Sequence, residues 1–219
     1  MLLPLFAVHI SDGILDPAWL WAGFAFMAIA VLVAMVRIPQ EMIPKLGVLT
    51  AVFFVASQIH LPLGPMSVHL ILNGLLGILL GGRCVLAIAV GLALQAFLVG
   101  HGGYTSLGVN FAVMAIPALA CGWIFQRLPM RFRMVPGFFL GAFTAVFTVL
   151  LNTLVLSFGA KGDWAVIART SVVLHIPIIV LEGVIAASTL RVLVKARPDW
   201  LGLPDQAVSG NTSENGTSH

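Results

Sequence analysis

Cys84-Val85-Leu86-Ala87-Ile88-Ala89-Val90-Gly91-Leu92-Ala93-Leu94-Gln95-Ala96-Phe97-Leu98-Val99-Gly100 is an apolar run. His101-Gly102-Gly103-Tyr104-Thr105-Ser106 follows it, and a second apolar run fills 107–126. A helix that crosses a bilayer needs roughly 20 largely apolar residues, so the stretch reads as two spanning helices joined by a polar turn. Three glycines around one histidine, then Thr105, Ser106 and Asn110, exceed what a plain connection needs. A tight turn closed by Ser and Thr capping is one reading; a functional turn is the other.

Working outward, 17–36, 44–59, 68–81, 135–158 and 171–194 are also apolar, making seven segments. The third is short. It must sit against neighbours or be continued by non-helical backbone lining a cavity. Composition agrees: of 219 residues 60% are hydrophobic and 9% charged, against about 25% charged in a soluble domain. The fold class expected is an all-α integral membrane protein, a bundle of about seven transmembrane helices in a lipid bilayer. An N-terminal segment, 1–16, precedes the helical domain, 17–197. A polar tail, 198–219, rich in Ser, Asn, Gly and Thr, reads as disordered. The formal charge of +3 comes from basic residues scattered between apolar runs, which excludes a nucleic-acid stripe. Cys84 and Cys121 lie far apart in apolar stretches and read as small buried hydrophobes.

Lysine and arginine set the orientation. Arg37, Lys45, Arg83, Arg127, Arg131, Arg133, Arg191, Lys195 and Arg197 fall on one side, and only Lys161 and Arg169 on the other. The N-terminus is therefore expected outside and the C-terminus in the cytoplasm. His9, His60, His69, His101 and His175 then all fall at the outer face; the sixth histidine, His219, ends the tail. Neutral imidazole is the commonest protein ligand for borderline divalent metals, so these residues suggest a metal capture site. Helix capping by interfacial histidines is the competing reading.

Four stretches carry the chemistry. Val8-His9-Ile10-Ser11-Asp12-Gly13 places a histidine near the start, where an amine, an amide nitrogen and an imidazole can chelate Ni(II) or Cu(II). Ser67-Val68-His69 leads to Asn73, on the same helical face as His69; Asn73 is either a partner of His69 or a polar contact in the bundle. The third is the His101 turn. In the fourth, His175 and Glu182 lie two turns apart, and an intramembrane carboxylate is a functional hypothesis by default. Glu182 either orients an imidazole or bonds between helices. Gly77-x-x-x-Gly81 and Gly137-x-x-x-Gly141 permit close helix packing.

Together these stretches resemble the CbiM/NikM family, substrate-binding membrane components of energy-coupling-factor transporters for cobalt and nickel. The family's opening Met-His-Ile-x-Asp-Gly is matched by Val8 to Gly13, and its Ser-x-His by Ser67 to His69. Its His-Gly-Gly-x-Thr-Thr-Leu-Gly-x-Asn lies close to His101 through Asn110, and its His-x-Pro with a following Glu-Gly matches His175 to Gly183. The resemblance covers 8–195. It implies a four-nitrogen metal site: the Val8 nitrogen, the His9 amide and side chain, and His69. His101, Ser106, Asn110 and Glu182 would support it, with Ser67, Asn73 and His175 nearby. Seven residues precede Val8, whereas the family's amine belongs to its first residue. The expectation is that Val8 is a GUG start decoded as Met.

The resemblance also implies a bacterial plasma (inner) membrane location, and transported Ni2+ or Co2+ with no resident cofactor. Its partners would be two ABC-type ATPase subunits, a transmembrane coupling protein and an optional small auxiliary membrane subunit. The chain carries no phosphate loop of its own, so it reads as a transport component and not an enzyme. A stand-alone secondary metal permease is the first rival; an intramembrane metalloenzyme, which lacks His-Glu-x-x-His here, is the second. Affinity is expected to fall at acidic pH, because imidazole ligands must be deprotonated.

Overall fold

A computed structural model describes residues 9–36, 38–63, 66–129, 137–161 and 165–203. The expectations on Val8 and the residues before it, Arg37, Arg131, Arg133, the tail from 204 on, and the side chains of Ser67 and Arg169 lie outside this description.

Helices dominate, in the order α1 (Pro17–Met35), α2 (Met42–Ala56), α3 (Asn73–Leu80), α4 (Cys84–Leu94), α5 (Leu107–Arg127), α6 (Gly137–Gly159), α7 (Ala165–Leu174) and α8 (Ile176–Ala196). All seven apolar segments are present, but not as seven full spans. Five stretches among the described residues are long and apolar enough to cross a membrane, and Met42–Ala56 is a shorter apolar helix. The third segment holds only the eight-residue α3. Its outer part is extended backbone: β1 (His60–Leu63) pairs antiparallel with β2 (Met66–His69). This hairpin is the non-helical continuation that the shortness of the third segment leads one to expect. The last segment divides at His175, and α7 begins at Ala165, six residues before the start expected at 171.

Asn73–Val99 is helical throughout, 27 residues, which as one rod would be about 40 Å long. Yet His69 and His101, at its two ends, have ring centroids 5.4 Å apart. α3 therefore descends and α4 returns. The reversal sits at Gly81, whose φ of +57 is the left-handed region that suits glycine. So Gly81 makes a turn, while Gly77 packs closely on α5: a Cβ there would strike the Ala118 backbone, and Gly122 lies against it from the other side. Gly137 and Gly141 pack α6 on α8 at Ala187, Ala186 and Glu182, as their spacing leads one to expect.

The ends of the bundle differ in charge. Arg83, Arg127 and Lys195 close the same end as Trp200, whose carbonyl accepts a hydrogen bond from Lys45 Nζ at 3.0 Å. Pro198 and Leu201 are buried there in a short 3-10 turn. Residues 198–203, the first of the expected tail, thus pack on the bundle through Pro198 and Leu201 and through the Lys45 bond to Trp200. At the other end Lys161 donates its N–H to Ile14 O (2.8 Å), within reach of the N-terminal segment.

Candidate metal centre

Four separate stretches bring imidazoles to one place. His60 and His69 are Cα partners across the hairpin, and directly opposed residues hold their Cβ atoms about 5 Å apart. Their ring centroids are 5.7 Å apart. The N-terminal segment stacks His9 on His69, at 4.9 Å and 19° between planes. The turn after α4 adds His101, edge-on at 5.1 Å from His9, 5.4 Å from His69 and 4.9 Å from His60. One nitrogen from each of His9, His69 and His101 lies within 4.8 Å of the others.

The protons are arranged to leave lone pairs facing no protein partner. His69 Nδ1 contacts Leu70 O and His60 Nδ1 contacts Gln58 O, each at 2.8 Å. A carbonyl only accepts, so Nδ1 carries the hydrogen and Nε2 the lone pair. The Nε2 atoms of His9, His69 and His101 are buried without a hydrogen-bond partner, which is costly unless something else satisfies them. Burial pushes all three imidazoles below their usual range: His9 well below it and His69 to about 3, with neighbouring imidazoles adding to the effect. His69 therefore stays neutral well below pH 7, and His9 and His101 shift in the same direction, which favours the deprotonated imidazoles that a metal needs.

A clamp fixes the His9 segment. The Asn110 side chain pairs with the Ile10 peptide in both directions, accepting from Ile10 N (2.9 Å) and donating to Ile10 O (3.0 Å). Ser106 Oγ donates to the same carbonyl at 2.5 Å. The Asp12 carboxylate accepts from the N–H groups of Tyr104, Thr105 and Ser106 and from the Thr105 hydroxyl. Partial burial pushes the Asp12 carboxyl up, but the Thr105 hydroxyl and these N–H groups outweigh it and hold the group below its usual range. The glycines of the turn now have reasons. Gly100 and Gly102 have φ of +67 and +80. A Cβ on Gly103 would strike Asp12 Oδ1 and Ser106 Oγ. A π-turn, Gln95–Val99, ends α4 with His101 N–H bonded to Gln95 O at 3.0 Å. It leaves the buried Gln95 amide beside the His9 ring.

For two residues the structure favours one of the two readings left open. Asn73 does not meet His69; its Nδ2 donates to Met114 O (2.9 Å) and Thr148 Oγ1 (2.8 Å), joining α3 to α5 and α6. Glu182 does not orient an imidazole. Its carboxylate accepts the N–H groups of Ile71 and Leu72 at 2.5–3.0 Å, so it caps α3 from outside that helix. It also holds Leu72 at φ +50, three residues after His69. The isolated start of α3 would otherwise leave N–H groups bare in a buried setting. His175 is buried, with Nδ1 on Ser171 O and Nε2 unpartnered, close enough to act electrostatically on His69. Ser67 is in β2 next to Val68.

Sequence reasoning grouped His60 with the other outer-face histidines but gave it no ligand role, and it gave none to Asp12 or Gln95. Asp12 reads locally as an Asp-Gly turn within the matched Val8 to Gly13 stretch, and Gln95 as a polar residue in an apolar run.

The chain matches the family described as "Cobalt uptake substrate-specific transmembrane region" over residues 9–200. It is 32% identical to a "Putative metal transport protein" of Haemophilus influenzae, covering 88% of this chain and 96% of that one. It is 31% identical to a "Putative fused nickel transport protein NikMN" of Archaeoglobus fulgidus, over 88% of this chain and 67% of the relative. A solved structure described as a transition metal transporter has the same fold, with TM-score 0.71, 21% identity, and coverage of 91% of this chain and 96% of that chain.

Proposed function

The chain belongs to the family of cobalt-uptake substrate-specific transmembrane proteins, and from that membership we propose that it is the substrate-binding component of an ATP-driven importer for Ni2+ or Co2+. The observation that carries this reading is the convergence of one ring nitrogen from each of His9, His69 and His101 within 4.8 Å, in a cluster whose buried Nε2 atoms have no protein partner. Such a set has no use in packing and suits a borderline divalent cation.

His9 and His69 are the imidazole ligands in this reading. The Val8 nitrogen and the His9 amide complete a four-nitrogen set of tetragonal preference. His101 flanks it; Ser106 and Asn110 hold the Ile10 peptide and so aim His9. Glu182 fixes the backbone after His69. His175 and Ser67 support the same region, and Asn73 joins the helices beneath it. The metal enters from outside, exchanging water for nitrogens, and the His9 amide gives up its N–H proton to solvent as its nitrogen binds. Two ATPase subunits and a transmembrane coupling protein, with an auxiliary membrane subunit in some assemblies, drive the rearrangement that releases it to the cytoplasm of a bacterial cell. The name of the fused relative supports partnership with further components. The rival secondary permease loses ground because Glu182, the carboxylate inside an apolar segment, is committed to the backbone of Ile71 and Leu72.

The test is nickel and cobalt titration of two purified forms, one starting at Met1 and one with Met in place of Val8, each with and without His69→Ala. Tight binding by the shorter form, weakened by about 100-fold or more in His69→Ala, is expected; loss of a mere supporting partner already costs about 10–100-fold. Absence of binding by either form, or indifference to His69→Ala, would overturn the reading.

A further inference from the structure

The proposed four-nitrogen set leaves two imidazoles of the cluster without work. They are His60 and His101, whose ring centroids are 4.9 Å apart. They differ from the other two in exposure. His69 is 0% exposed and His9 6%, whereas His60 and His101 are only partly buried. The cluster is therefore two pairs in depth: an inner stack, His9 on His69, and an outer edge-on pair, His60 with His101.

Resting on the metal reading above, we infer that His60 and His101 form a mouth subsite that takes a hydrated divalent transition-metal ion first and passes it to His9 and His69. A fully buried imidazole cannot meet an ion that still carries its shell of water, and an ion stripped of ligands in a low-dielectric site is prohibitively costly. Waters must be exchanged for nitrogens one at a time, so a donor reachable from solvent has to come before the buried ones. His60 fits that part. Its Nδ1 is fixed on Gln58 O, which leaves the lone pair on Nε2. His101 contributes a buried, unpartnered Nε2. Its ring lies 4.9–5.4 Å from all three others, so it can share an ion with either pair. His60 is 5.7 Å from His69 across the hairpin and thus adjacent to the destination.

The test is stopped-flow kinetics of nickel binding to the purified full chain, in wild type, His60→Phe and His60→Cys. A mouth subsite lies on the path and not in the final complex. His60→Phe, which keeps a ring and removes the donor, should slow association and dissociation alike by about tenfold, within the one to three decades over which association rates vary among related complexes. The equilibrium constant should stay within about twofold of wild type, as it must when only the path changes. His60→Cys, which restores a metal-binding donor, should recover much of the rate. An unchanged association rate in His60→Phe would overturn the inference. So would weaker binding carried by faster dissociation, which would make His60 a ligand of the final site. Either result would leave the inner site standing; loss of nickel binding by wild type would instead remove the metal reading itself.

Discussion

Asn110 holds the Ile10 peptide by both its N–H and its carbonyl, and that pairing settles where the preceding His9 ring can lie. Asn110→Leu keeps the bulk and removes both bonds. Nickel affinity should fall about 10–100-fold, as for other partners that orient a ligand, with the helical circular-dichroism signal unchanged. Equal affinity would show that His9 needs no such positioning. The pH dependence also belongs to single residues. His69 sits near 3 when folded, against about 6.5 in an unfolded chain. Above about pH 6.5 neither state holds the proton. As pH falls from there towards 3, the unfolded chain binds a proton that the folded one refuses, so metal-free stability is lost. Thermal unfolding of the metal-free protein should therefore come at lower temperature at about pH 5 than at about pH 7.5. His69→Phe should narrow the gap, and a Tm indifferent to pH would contradict buried neutral imidazoles.

The elements around the site are short and irregular, and each irregularity has a local cause. The hairpin exists because α3 begins only at Asn73 and the extended strand before it needs a partner for its backbone. Glu182, from α8, supplies the acceptor for the N–H groups of Ile71 and Leu72, the two residues that lead into α3. Glu182→Gln leaves one acceptor oxygen and no charge where a carboxylate serves two N–H groups. Hydrogen bonds to charged groups contribute about 1.5–3 kcal/mol, so this change should lower Tm and weaken nickel binding through His69. The turn after α4 is equally specific. In Gly103→Ala the added methyl meets Asp12 and Ser106, and the N-terminal segment should lose its seat. Limited proteolysis before Pro17 should accelerate in that variant, and an unchanged cleavage pattern would refute the clamp.

At the scale of the molecule, the bundle has a basic end and a histidine end. A cysteine placed at Lys161 should react with a membrane-impermeant reagent applied outside, and one at Lys195 only after the membrane is opened; the reverse pattern would invert the orientation. The sequence by itself determined the membrane class, the seven apolar segments and the basic end, because lipid allows few compositions and few backbone forms. It also grouped His9, His60, His69, His101 and His175 at one face, with helix capping left as the competing reading. It could not determine that β1 and β2 oppose His60 to His69, or that Asn73 and Glu182 turn away from imidazoles towards backbone and Thr148. Nor could it find the part of Asp12. Those outcomes depend on which helix lies beside which. Buried donors and acceptors are matched across the whole bundle, by the demand that each be satisfied, and not along the chain. The depth order of the four imidazoles is likewise a property of the folded mouth alone.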